Sequence, residues 1–297
     1  MRALFLIPGD GVRQLQALPA AAAVAEQLGF AIQVACRPEL AGLWKLLPAV
    51  EKVIPFAFGD ATLADWANLL GSVREPDFQA CINLAKGRQV DLMLSMSHIP
   101  TRVASGGFSA TATVTPAAGG WAAQSLEAFL QPIGVRLDAD AFRLSLPRAA
   151  LEKATAAQPP GDGPLLLLAP AGVPGDWPEE RWQGLPSHIR TTIPGLRSQV
   201  LAPVSPAAAV AGAAEVATAD VVLASDPLSE ELALLSGVPL VALGRDPATL
   251  PKRVGVAGLT AAEGLGALDD RVVLTADHPR SEDPLARPMA LVAGHGP

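Results

Sequence analysis

The sequence is poor in cysteine, in positive charge and in unbroken apolar runs, and each shortage argues against a class of protein. Only Cys36 and Cys81 occur in 297 residues. They lie in apolar strand-like segments without CxxC or metal-ligand spacing, so both are expected to be buried structural thiols. Lys and Arg number 22 against 29 Asp and Glu, a net charge of -7, and no basic run stands out. That balance argues against a nucleic-acid footprint. The histidines His98, His188, His278 and His295 occur singly, with no partner spacing for zinc or a catalytic triad, so no metal site is expected; no cofactor is expected either. No segment approaches the ~18 uninterrupted apolar residues of a membrane span. The opening run Met1–Ile7 is too short for a secretory signal core. The expectation is a cytoplasmic protein, with peripheral contact at the inner face of a membrane compatible with it.

What is present is a repeated unit of strand, turn and helix. Half of the residues are hydrophobic, enough for two cores. Arg2–Ile7 reads as a strand, followed by "PGDG" and a helix whose apolar face is expected to be Leu15, Leu18, Ala22, Ala25 and Leu28, closed by Gly29. Further strands are expected at Ala31–Cys36, Glu51–Phe56, Phe78–Leu84 and Thr101–Ser105, and a clear helix at Leu63–Glu75. After a helical stretch, Ala150–Ala157, the turn-rich "QPPGDGP" (Gln158–Pro164) reads as a linker. "LLLLAPAG" (Leu165–Gly172) then restarts the pattern, with later strands at Ser198–Val204, Ala219–Ser225 and Pro239–Gly244. This alternation predicts an α/β protein of two Rossmann-like, doubly wound domains facing a cleft: an N-terminal domain over 1–157, a linker over 158–164, a C-terminal domain over 165–280 and a tail over 281–297.

The segment "ASDPLSEELALLSGVP" carries candidate chemistry. Asp226 is a good N-cap, Pro227 suits the first helical position, and Gly237 is a good stop. Capping accounts for all three. A sharper reading puts this helix start at the carboxyl end of its strand, where backbone amides around Leu228 and Ser229 would hold a diphosphate and Glu230 and Glu231 would sit nearby, Glu231 accepting from ribose hydroxyls. "INLAKGRQ" likewise brings Lys86 and Arg88 near strand ends, either toward an anionic acceptor or as an ordinary solvated loop. Trp177 and Trp182 read as a packing pair around Pro178. A dinucleotide oxidoreductase is set aside, because "GDG" lacks the full G-x-G-x-x-G and no acid ends the second strand.

From residue 1 to about residue 255 the chain resembles the family 9 glycosyltransferases, the lipopolysaccharide heptosyltransferase group with the two-domain GT-B fold. The likeness rests on "LFLIPGDGVRQLQALP", on "GDWPEERW" (Gly175–Trp182) and on "ASDPLSEELALLSGVPLVALGRDPATLPKR". "LADWANLLGSVRE" and "IPTRVASGG" read like the same envelope-sugar branch. The resemblance implies inverting transfer of a heptose or hexose from a nucleotide sugar, ADP-heptose-like or similar, to an envelope lipid or polysaccharide acceptor. The acceptor-side loop would be Gly9, Asp10, Gly11 and Arg13; the nucleotide side would be Asp226, Leu228, Ser229, Glu230 and Glu231. Such a reaction needs a carboxylate base and positive charge or amide dipoles against the departing diphosphate.

The chain departs from that pattern at the chemistry. Counted back from Pro19, the family's aspartate falls on Arg13 and its preceding glycine on Val12; Asp10 lies three residues early, about 10 Å along an extended turn. An arginine, always protonated, is no base. The family's lysine falls on Gly175 and its histidine on Glu231, leaving Asp10 and Glu231 as candidate acids. A cation in a helix's first turn is unfavourable by a few tenths to about 1 kcal/mol, which leaves Arg13 three readings: extended into solvent, beside an anion (a ligand's, or Asp10 or Glu231), or active in catalysis. Two functions follow: an active transferase using one of the candidate acids, or a catalytically degenerate GT-B-fold protein serving as a binding or scaffold partner for another protein.

Overall fold

The computed structural model describes residues 1–74, 77–174 and 176–259. The chain divides into two compact units, Met1–Phe142 and Arg143–Pro297. In the first unit six strands, β1 (Arg2–Leu6), β2 (Ala31–Cys36), β3 (Val50–Pro55), β4 (Phe78–Asn83), β5 (Thr101–Ala104) and β6 (Ala112–Thr113), form a sheet in the order β3-β2-β1-β4-β5-β6. All of its pairings are parallel. Its helices are α1 (Gly11–Leu28), α2 (Leu63–Arg74), α3 (Arg88–Met96), α4 (Ala122–Ser125) and α5 (Glu127–Leu130). A 3-10 segment spans Pro38–Leu46.

The second unit holds α6 (Arg148–Ala156), β7 (Leu165–Ala169), α7 (Glu179–Ile189), β8 (Arg197–Val200), α8 (Ala209–Ala217), β9 (Val221–Ala224), α9 (Pro227–Ser236), β10 (Leu240–Leu243) and β11 (Val256–Leu259). Its sheet runs β11-β10-β9-β7-β8, again wholly parallel. Parallel strands need crossovers, and most here contain a helix or 3-10 segment, whereas β5 and β6 are joined by a loop; strands covered on both faces read as unbroken apolar runs. Leu165–Ala169 and Val221–Ala224 are buried throughout.

The α/β expectation is met in both halves, and the strands predicted from sequence fall within a few residues of those observed. Four details differ. The buried side of α1 is Gln14, Leu15, Ala17, Leu18, Ala20, Ala21 and Val24, whereas Ala22, Ala25 and Leu28 are only half-buried. In a helix of alanines, one methyl face resembles another, so pattern alone cannot choose between them. The segment read as a loop after β4 becomes α3 from Arg88, burying Val90, Met93 and Leu94. Strands β6 and β11 are not among those expected, the first being only two residues long and the second a four-residue run interrupted by Gly258. The helix Arg148–Ala156, assigned from sequence to the N-terminal domain, packs against α8 within the second unit. The expected tail, 281–297, and the end of the expected C-terminal domain lie outside the described residues.

Each sheet has its own core. Leu4, Leu6, Phe56, Leu69, Phe78, Cys81 and Met93 cluster in the first unit, and Leu166, Leu168, Trp177, Trp182, Leu185, Leu223 and Val241 in the second. Trp177 and Trp182 are packing residues, their rings 5.5 Å apart. Both cysteines are free and buried. Burial raises both thiol pKa values, that of Cys36 to about 11, so they behave as small apolar side chains.

Candidate functional site

Doubly wound sheets bind ligands where the strand order reverses, outside the carboxyl ends of the strands. In the first unit the reversal lies between β1 and β4, whose last residues, Leu6 and Asn83, are register partners. The turn into α1 and the turn into α3 are therefore neighbours, and Leu84 N–H donates to the Leu6 carbonyl at 3.0 Å. In the second unit the reversal lies between β7 and β9. There Ser225 and Asp226 N–H groups donate to the Ala169 carbonyl (3.0 and 3.2 Å), and Ala171 N–H donates to Ser225 Oγ at 2.9 Å.

The first of these edges is open. Gly9 has φ 108°, a conformation that favours glycine. A Cβ there would stand 2.8 Å from Arg13 Cδ, so the Arg13 chain folds back over Gly9. Asp10 is the N-cap of α1, Oδ1 accepting from Arg13 N–H at 3.0 Å. Gln14 N–H goes to the Asp10 carbonyl at 3.2 Å, which leaves the Gly11 and Val12 amides as the first-turn donors that this cap does not claim. Gly9, Asp10 and Arg13 are exposed, as are Lys86 and Arg88 on the adjoining turn. Beneath this surface the turn is rigid: buried Gln14 donates to the Ile7 carbonyl (3.1 Å) and accepts from Trp44 Nε1 (3.0 Å).

The second edge is closed. Asp226 caps α9, accepting from Ser229 N–H at 2.9 Å and Ser229 Oγ–H at 2.5 Å. Pro227 has no N–H, and Glu230 N–H donates to the Asp226 carbonyl at 3.0 Å, so Leu228 carries the one first-turn amide not taken by the cap. Glu230 and Glu231 point into the protein, 3% and 0% exposed. One guanidinium serves both: Arg245 Nη1 donates to Glu230 at 3.0 Å and Nη2 to Glu231 at 2.9 Å. Burial raises the Glu230 pKa to about 7, outweighing the opposing pull of Arg245.

These positions revise three expectations. Glu231, read as a candidate acid and ribose acceptor, is fully buried in an ion pair. Asp10, one acid named as an anion for Arg13, accepts from that residue's backbone N–H, and Glu231, the other, holds Arg245. The α9 start offers a single amide surrounded by three carboxylates, an unfavourable setting for a diphosphate unless Arg245 is redirected. Arg245 had no motif to reveal it; its one sequence signal was a cation just past a strand end. Gly175 lies outside the described residues. Among the described residues no group of His, Cys, Asp and Glu is placed to hold a metal ion, and no helix is long and apolar enough to cross a membrane.

No family model matches the sequence, and no curated protein matches it. Solved structures do. A family 9 glycosyl transferase from Veillonella parvula is 15% identical with a TM-score of 0.69, over 98% of this chain and 97% of its own. The E. coli heptosyltransferase WaaC, solved with ADP, is 16% identical with a TM-score of 0.68, over 93% of this chain and 100% of its own. The UDP-GlcNAc 2-epimerase of Methanocaldococcus jannaschii is 11% identical with a TM-score of 0.51, over 96% and 95%. The fold is therefore the one shared by the family 9 heptosyltransferases, and it also houses an epimerase.

Proposed function

We propose that this protein is glycosyltransferase-like, binding a nucleotide sugar and directing a heptose or hexose to an envelope lipid or polysaccharide acceptor. The observation that carries the reading is the match of nearly the whole chain to a family 9 fold, with a capped helix start at each sheet's reversal point. WaaC was solved with ADP, which supports an adenosine diphosphate sugar as donor. With a lipid-linked acceptor, the protein would work at the inner face of the membrane.

In this reading Asp10 is the base. Its Oδ1 is engaged by Arg13 N–H, and its exposed position leaves the other oxygen to take the proton of an acceptor hydroxyl. That hydroxyl oxygen then forms a bond to the anomeric carbon, the bond to the diphosphate oxygen breaks, and the nucleoside diphosphate leaves with both electrons. Arg13, one turn away, supplies positive charge for an anionic group on the acceptor. On the donor side the Leu228 amide faces the diphosphate once Arg245 turns from the glutamates toward phosphate.

A second reading has an observation of its own. An arginine where the family has its base, together with Glu230 and Glu231 buried under Arg245, favours a degenerate protein that binds a partner without transferring sugar. The test is calorimetric titration of ADP and ADP-sugars, followed by turnover with an acceptor panel. Release of nucleotide, abolished in Asp10→Ala, supports the first reading. Binding without release supports the second, and indifference to every nucleotide overturns the donor assignment in both.

A further inference from the structure

The protein has eight phenylalanines, five tryptophans and no tyrosine. All are buried or half-buried except one: Phe108, 67% exposed. It sits in the turn after β5, "SGGFS", which polar contacts hold on both sides. Asp91 of α3, itself buried, accepts from Ser109 Oγ–H at 2.6 Å and from Ser109 N–H at 3.4 Å. Arg102 Nε donates to the Ser109 carbonyl at 2.7 Å, and its Nη1 donates to the Ile99 carbonyl. Thr111 N–H returns to the Arg102 carbonyl at 2.9 Å. Gly107, at φ 104°, is the only kind of residue that fits, since a Cβ would collide with the Asp91 carboxylate.

This clamp is unusual in what it serves. An exposed aromatic ordinarily loses apolar burial and gains nothing, yet here a buried carboxylate and a guanidinium are committed to fixing its base. Preorganisation of this kind reduces the ordering cost of binding. The place is also telling. β5 is next to β4, and Ala104, Asn83 and Leu6 are register neighbours across β5, β4 and β1. The Phe108 turn, the Lys86–Arg88 turn and the Gly9–Arg13 turn thus stand side by side along one ligand-binding edge.

We propose that Phe108 is a stacking platform for the apolar face of a sugar ring in the acceptor. The proposal rests on the glycosyltransferase reading and adds to it the residue that grips the acceptor. A pyranose ring presents C–H groups to an aromatic face and hydroxyl or anionic groups to its surroundings, which suits a lone ring flanked by serine, glycine and cations. A purely apolar partner would leave those flanks unsatisfied.

The test uses the full chain, with Phe108→Ala and Phe108→Trp, on an array of bacterial envelope oligosaccharides, with ADP binding measured in parallel. Oligosaccharide binding weakened roughly tenfold in Phe108→Ala, and kept in Phe108→Trp, with ADP binding unchanged, supports the assignment. Equal oligosaccharide binding by the wild type and Phe108→Ala overturns it and leaves the transferase reading standing. Wild-type protein that holds ADP but no oligosaccharide also overturns it alone, whereas protein that holds neither overturns both. Because Leu92 and Met96 on α3 are also exposed, phosphatidylglycerol vesicles are included. Loss of vesicle binding in Phe108→Ala with oligosaccharide binding intact would make the residue a membrane contact and reject the proposal.

Discussion

The two strand-to-helix turns at the reversal points use one local device in opposite surroundings. Asp10 and Asp226 each accept from the N–H three residues on, at 3.0 and 2.9 Å. In the first unit the residue whose amide is held, Arg13, sends an exposed cation over a glycine. In the second the capped residue, Ser229, is buried, and the next two are glutamates locked to Arg245. A cap therefore says that a helix begins and little about what its start can bind. Charge, and whether that charge is already spent within the protein, decides the rest.

The largest way to break the comparison is Arg245→Met. It removes the guanidinium that the buried Glu230 and Glu231 share, and removal of one partner from a buried pair costs about 3–5 kcal/mol. Urea denaturation should show that loss, while a change below 1 kcal/mol would mean the ion triad contributes little.

Next comes pH. Glu230 has a folded pKa of about 7 against a free value of 4.5, so the folded state binds the extra proton. Its stabilising contribution is complete below the free value and is lost as pH rises through about 7. Glu230→Gln should remove that part of the decline between pH 5 and pH 8, by an amount of order 1–3 kcal/mol. Parallel stability profiles for wild type and variant would refute the shift.

The caps themselves can then be compared. Asp10→Ala should cost about 1 kcal/mol, the usual value of an N-cap. Asp226→Ala should cost about 1–2 kcal/mol more, because it also strands the buried Ser229 hydroxyl. Equal losses in thermal melts would mean that burial does not distinguish the turns. The smallest effect is expected at Arg13: Arg13→Ala should raise stability by a few tenths of a kcal/mol, by removing a cation from a helix N-terminus. A loss of stability instead would reveal a favourable role for the guanidinium in the free protein.

The strands and caps were legible in the sequence because they depend on neighbours in the chain. The runs Leu165–Ala169 and Val221–Ala224, the N-cap Asp226, and the left-handed stops Gly29 and Gly237 follow from apolar pattern, a side-chain oxygen and missing Cβ atoms. Helix α3 was not legible, since "KGRQ" carries turn residues up to its first turn and the burial of Val90 and Met93 comes from the sheet beneath. The departures at Arg13 and Glu231 were visible as identities only.

The sequence by itself determined two parallel α/β halves, a glycine turn into a helix in the first, an aspartate-capped helix start in the second, and a cation where a proton acceptor was expected. Only the tertiary structure decided that Glu231 is shut away under Arg245, that Asp10 stays exposed, and that Phe108 is held out on a clamped turn beside Lys86 and Arg88. The reason is range. Caps and strands arise from interactions within a few residues, whereas burial and ion pairing depend on groups such as Arg245, which reaches back from the end of β10 to the first turn of α9.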